Sequence, residues 1–287
     1  MIDGLDHVVV AVRDLDSSAE GYRQLFGRAP VILTGGGARR AWFQFPNMAL
    51  ELIAPEQGAG GEGRAGDRAR AWLEKGEGVC ALAFHAPELE ATGKLMARRG
   101  LGAGEPAVSH LKDERGRDHV LRAVRLDPAA TGGLEMVLIG RGEPIHPPEP
   151  QGPAPIAALD HVVVTTANPD RALAVYGAKL GLDLRLDREN TGWNARQMFF
   201  RCGEAVVEIG ARIGGPVSDQ PDRFGGLAWR VADPLAAQAR IAAAGFDVSE
   251  VRTGRKPGTH VFTVRNAPGG IPTIMLSHQP AASHESA

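Results

Sequence analysis

The chain has 287 residues, 43% of them hydrophobic, which is enough for two domains with full cores. Its 32 lysines and arginines nearly balance 34 aspartates and glutamates, a net charge of −2, so nothing electrostatic points to nucleic acid or an anionic membrane as the main partner. Two cysteines, Cys80 and Cys202, make no disulfide framework; no apolar run approaches the ~20 residues of a membrane span, and the opening MIDGLDHVVVAV carries no export signal, so a cytoplasmic protein is expected.

The first predicted element is a buried strand over 5–13, containing LDHVVV. A helical pattern then starts at Asp16 and stops at Gly27. Strand-like runs follow, ending in NMALELIAP, and residues 55–66, PEQGAGGEGRAG, read as a loop. The same order returns at 79–100, with the strand VCALAFHA, a helix from Pro87 and a stop at Gly100. Residues 141–155, RGEPIHPPEPQGPAP, hold six prolines and read as a semi-rigid linker.

After the linker LDHVVV recurs at 159–164. It is followed by NPDRALAVYGAKLG, in which Asn168 suits an N-cap, Pro169 the first helical position and Gly181 the left-handed C-terminal position. A fourth copy has the strand LAWRVA, Asp233–Pro234 as cap and first turn, and Gly245 as the stop. About three strand-like runs follow each helix. The expected fold class is therefore α+β, four βαβββ modules forming two curved mixed-sheet cups. The expected domains are residues 1–140 and 158–279, joined by the linker 141–157 and followed by a tail, 280–287.

The two halves are copies of one another. Setting His7 on His161 also sets Tyr22 on Tyr176 and Gly27 on Gly181 without a gap. With three extra residues in the second copy, Arg39 falls on Arg196, Phe43 on Phe200 and Glu51 on Glu208. Residues two apart on a strand share a face. In ALELIAP, Glu51 thus shares a face with Ala49 and Ile53, while Leu50 and Leu52 turn to the helices; Glu208 likewise stands opposite Val207 and Ile209. A carboxylate inside such a strand costs free energy unless it is paired or bound to a metal.

On LDHVVVAVRDLDSSAEGYRQLFG with NMALELIAP, and LDHVVVTTANPDRALAVYGAKLG with EAVVEIGA, the chain resembles the vicinal oxygen chelate superfamily. That superfamily includes glyoxalase I, extradiol dioxygenases and the fosfomycin- and bleomycin-resistance proteins. The resemblance implies a metal held by first-strand histidines, here His7 and His161, and last-strand glutamates, here Glu51 and Glu208. The divalent ion would be Zn, Mn, Ni or Fe. It also implies Glu51 and Glu208 as proton-moving bases in a glyoxalase-like lyase or isomerase that stabilises an enolate or two vicinal oxygens of a small metabolite.

In the second and fourth modules the alignment gives Cys80 and Gly226 at the histidine position. It gives Val137, or Glu135 two residues earlier, and Ile274 at the glutamate position. This departure weakens the Fe(II) ring-cleaving alternative. A third reading is a metal-free protein that binds an aromatic or antibiotic-like ligand. Two arrangements stay open: modules one and three share one site, or each half has its own, completed by His119 in the first and His260 in the second. Arg39 and Arg196 are expected to face the cup and clamp an anionic group, and Trp42 and Phe200 are candidates for an apolar pocket. The expected partner is a small-molecule substrate, met by a monomer or a homodimer.

Overall fold

The computed structural model describes residues 1–58, 62–141, 145–146, 149–150 and 152–278. The first half runs β1 (Gly4–Ala11), α1 (Leu15–Phe26), β2 (Val31–Gly35), β3 (Ala38–Gln44), β4 (Ala49–Pro55), α2 (Arg64–Glu74), β5 (Gly78–His85), α3 (Leu89–Arg98), β6 (Ala107–Asp113), β7 (Asp118–Arg125) and β8 (Glu135–Arg141). The second runs β9 (Ala158–Thr166), a helix α4 that is α-helical over Pro169–Ala172 and π-helical over Leu173–Lys179, β10 (Asp183–Asn190), β11 (Ala195–Cys202), β12 (Ala205–Arg212), β13 (Arg223–Arg230), α5 (Pro234–Ala243), β14 (Arg252–Thr253), β15 (Thr259–Val264) and β16 (Thr273–His278). These are four βαβββ modules with one added helix, α2.

The helix boundaries follow from capping. Asp14 accepts from Ser17 N at the start of α1, and Gly27, at φ 66°, ends it. Asn168 caps α4, and Asp233 caps α5 through Leu235 N and Ala236 N. The Pro-rich segment is only partly within the described residues, and the expected tail lies outside them.

The two sheets differ. Strands of the first half close into a barrel in the order β1-β4-β3-β2-β6-β7-β8-β5, whereas those of the second form an eight-stranded sheet in the order β10-β11-β12-β9-β13-β16-β15-β14. Closure depends on β2 pairing with β6 through Leu33↔Asp113 and Thr34↔Lys112. In both sheets the first strand of one module runs antiparallel to the first strand of the next, as in β1–β5 and β9–β13.

One hydrophobic core joins the halves, with α1 at its centre. Phe26 and Phe45 meet Trp229 at ring separations of 4.7 and 4.8 Å. Asn47 exchanges two hydrogen bonds with the backbone of Leu159, and Arg240 donates to the carbonyls of Gln24 and Leu25. Tyr22 and Tyr176, matched in sequence, are both fully buried core residues.

Of residues 55–66, expected to be a loop, 59–61 lie outside the described residues and 64–66 already belong to α2, which begins at Arg64. Its Ala69, Trp72 and Leu73 pack on Val9, Ala11, Ile53 and Ala81, which point into the barrel, so α2 covers one barrel mouth. A close backbone approach fixes its start: a Cβ at Gly63 (φ 146°) would lie 2.5 Å from the carbonyl of Gly36, which accepts from Ala65 N and Gly66 N. No helix among the described residues is long and apolar enough to cross a membrane.

Candidate functional site

Strand parity places His7 and Glu51 on the inner face of the barrel. β1 and β4 are parallel with His7 opposite Ala49 and Val9 opposite Glu51, so the two side chains are diagonal neighbours. Val8, Val10, Leu50 and Leu52 have the other parity and enter the core under the helices. His7 Nε2 lies 3.1 Å from Glu51 Oε2, and His7 Nδ1 lies 2.5 Å from Asp6 Oδ1. Arg40 Nε donates to Glu51 Oε1 at 2.7 Å, while its Nη1 donates to the carbonyls of Gly35 and Ala38. Trp42 meets the His7 ring edge-on at 4.9 Å.

Asp6, His7, Glu51 and Arg40 thus form a buried row of alternating charge when His7 is protonated. Burial alone disfavours the imidazolium, but hydrogen bonds and charges from Asp6 and Glu51 outweigh it, so the His7 pKa is raised. Burial likewise opposes the Glu51 carboxylate, yet His7 and Arg40 more than offset it and lower its pKa.

The second half repeats this with weaker parts. His161 Nε2 lies 3.3 Å from Glu208 Oε2, and His161 Nδ1 lies 2.8 Å from Asp160 Oδ1. Gln197 Nε2, at the register position of Arg40, donates to Glu208 Oε1 at 2.6 Å. Asp160 also meets His278 Nε2 at 3.1 Å.

The four expected ligands are not brought together. β1 and β9 belong to different sheets, and each histidine pairs with the glutamate of its own module. Within the first half, the register shows what stands where the second module's ligands would be. Val9 is opposite Ala81 across β1–β5, and Ala81 is paired with Glu135 across β5–β8. By the same geometry that relates His7 to Glu51, Ala81 and Val137 occupy the matching positions. Ala81 replaces the expected Cys80, which sits at the β1–β5 bulge and donates from Sγ to the Val9 carbonyl. In the second half the matching positions are Gly226, opposite Val163, and Ile274.

A divalent ion in a protein site needs three or more convergent donors. Each half offers one imidazole and one carboxylate, and in the first half a guanidinium already holds one carboxylate oxygen. Among the described residues no group of three or more His, Cys, Asp or Glu side chains is placed to hold an ion. These donor sets do not fit the metal that the family resemblance implies. His119 Nε2 lies 3.3 Å from Asp113 Oδ2 in the β6–β7 hairpin. His260 lies on β15 opposite Thr253 and Ser277, next to the edge strand β14.

Arg39 and Arg196 do not face a cup. Their strand parity turns them outward, where Arg39 pairs with Asp16 and Arg196 with Asp187. Phe200 is core, packed on Tyr176, and Trp42 is fully buried beside His7.

The barrel holds a partly open cavity of about 570 Å³ with His7, Arg40 and Glu51 on its wall. Arg64, Arg68, Trp72, His110 and Arg125 also line it, and sequence reading named none of them as a site residue. The i, i+4, i+8 spacing of Arg64, Arg68 and Trp72 was the available signal, but only for a reader who had placed a helix there.

Two family models match the chain: a glyoxalase-like domain over residues 5–156 and the glyoxalase/bleomycin resistance protein/dioxygenase superfamily over 158–272. No functionally curated protein is similar enough in sequence to count as a relative. Among solved structures, a mutant of 4-hydroxymandelate synthase from Streptomyces coelicolor has a TM-score of 0.72 at 15% identity, covering 99% of this chain and 95% of that one. A Mn(II)-bound glyoxalase from Novosphingobium aromaticivorans has a TM-score of 0.65 at 16% identity, covering 98% and 88%. At these identities the likeness is one of fold. With the family models spanning both halves, the chain belongs to the vicinal oxygen chelate superfamily, that of the glyoxalases, bleomycin-resistance proteins and dioxygenases.

Proposed function

We propose that this chain binds a small oxygenated organic molecule in the barrel of its first half, and does so without a resident divalent ion. One observation carries the reading: the barrel holds a cavity large enough for a one-ring metabolite, and His7, Glu51 and Arg40 on its wall satisfy one another, with Asp6 behind His7. The metal-dependent lyase or isomerase expected from the family would need His7 and Glu51 completed by two more donors. Alanine and valine at 81 and 137 withhold them. An Fe(II) dioxygenase needs two histidines and a carboxylate at one point, and neither half supports that set.

A second reading, an isomerase or lyase that moves a proton without a metal, is favoured by His7. Its imidazolium is stabilised, and it lies on the cavity wall. It could protonate an enolate formed in the cavity. Glu51, held below its ordinary pKa by His7 and Arg40, is a poor base for the opposite step.

The test is ligand binding by chelator-treated protein, followed through the fluorescence of Trp72 with Trp72→Phe as control. Hydrocinnamate and its neutral amide, hydrocinnamamide, serve as probes. At least one should quench Trp72 saturably, and Ala81→Phe, which fills the cavity, should abolish the effect. Binding that survives Ala81→Phe, or that requires added metal, refutes the reading.

A further inference from the structure

The charges around the barrel cavity are unevenly matched. Arg40 is held by Glu51 at 2.7 Å, and Arg125 Nη1 meets Glu135 Oε2 at 3.2 Å. Arg64 and Arg68 also line the cavity, and neither makes a salt bridge among the described residues, although Glu135 acts on Arg68 at longer range. Glu105 lines the cavity too and offsets only part of this charge.

The unmatched pair is placed by the fold. Arg64, Arg68 and Trp72 follow one another at i, i+4 and i+8 on α2, one stripe facing the cavity, while Ala69 and Leu73 hold the helix on the barrel. Like charges one turn apart cost helix stability. Burial, and after it the charge of nearby Arg68, lowers the Arg125 pKa to about 10. Cations gathered at one end of a partly enclosed space, at a cost to the fold, form a site for an anion. Ile53, Trp72, Leu121 and Ile139 give the wall an apolar part.

We propose that Arg64 and Arg68 of α2, together with Arg125 of β7, form an anion clamp at the mouth of the barrel, and that the ligand is a small organic acid or phosphate ester with an apolar body. The body lies along the apolar wall toward His7, and the carboxylate or phosphate sits between the two arginines of α2. The inference rests on the barrel-cavity reading and specifies its ligand. Arg64 and Arg68 come from the helix added between the first two modules, so this specificity belongs to the first half alone.

Calorimetric titration with hydrocinnamate, phenyl phosphate and hydrocinnamamide tests it in wild type and in an Arg64→Gln, Arg68→Gln double variant. These substitutions keep the apolar contacts of α2, and circular dichroism checks the fold. At least one of the two anions should bind about tenfold or more tighter than the amide, as loss of a charge-assisted contact implies. The double variant should lose that preference while binding the amide unchanged, and the ratio between the anions shows which headgroup the clamp favours. If the amide binds wild type as well as either anion, or if the double variant keeps the preference, the clamp is refuted and the cavity reading stands. If none of the three binds, both fall.

Discussion

Arg40 donates from Nε to Oε1 of Glu51 at 2.7 Å, with both side chains buried inside the barrel. At the same register position in the second half Gln197 donates to Glu208. One site is therefore closed by a charge and the other by an amide. Removing one partner of a buried pair leaves the other charge uncompensated, at about 3–5 kcal/mol. Arg40→Met should cost about that much in urea unfolding, and Arg40→Gln clearly less, because the amide can still donate to Glu51. Equal losses in the two variants would mean that Arg40 contributes only its bulk.

The His7 pKa is raised, so its protonation stabilises the fold at pH values below the unfolded-state pKa of about 6.5, and that contribution is lost as pH rises through the higher folded value. For Glu51 the sign is opposite. Its lowered pKa gives stability above the ordinary carboxylate range, lost as pH falls through the folded value. Wild type should therefore lose stability relative to His7→Gln on going from pH 6 upward. A difference between the two proteins that stays flat from pH 6 to 9 would show that His7 is not charged in the fold.

Much of this site was legible in the sequence. Parity in ALELIAP and VVEIG put both glutamates on the inner face, and the family resemblance, carried in part by the repeated DH pair, implied the histidines beside them. The arginines show where reading failed. Arg39 was aligned correctly with Arg196, but strand side chains alternate, so the inward residue is the neighbouring Arg40. α2 was missed because a glycine-rich stretch precedes it and its apolar stripe is short. Barrel closure was not readable, since it depends on the pairing of β2 with β6, about 80 residues away in sequence.

Trp229 belongs to the second half but packs between Phe26 and Phe45 of the first. Truncating a fully buried tryptophan costs about 3–5 kcal/mol. Trp229→Ala should lower stability by that amount while wild type unfolds in a single transition seen by both near- and far-ultraviolet circular dichroism. Two separate wild-type transitions would show that the halves are energetically independent.

If Ala81 and Val137 are what prevents metal binding in the first half, supplying donors there should create it. Ala81→His with Val137→Glu, in an Arg40→Gln background that frees Glu51, completes two imidazoles and two carboxylates around the barrel axis. That variant should take up about one Zn²⁺ or Mn²⁺ per chain, with a rise in melting temperature on metal addition. No uptake would show that the inner wall is spaced wrongly for an ion whatever residues line it.

The most direct test of the account is elemental analysis of the untagged wild-type protein after equilibration with Zn²⁺, Mn²⁺ or Fe²⁺ and gel filtration, beside Glu51→Gln and Glu208→Gln. The account predicts well under one ion per chain in all three proteins. One equivalent in wild type that disappears in either variant would contradict it and restore a metal to a His–Glu pair.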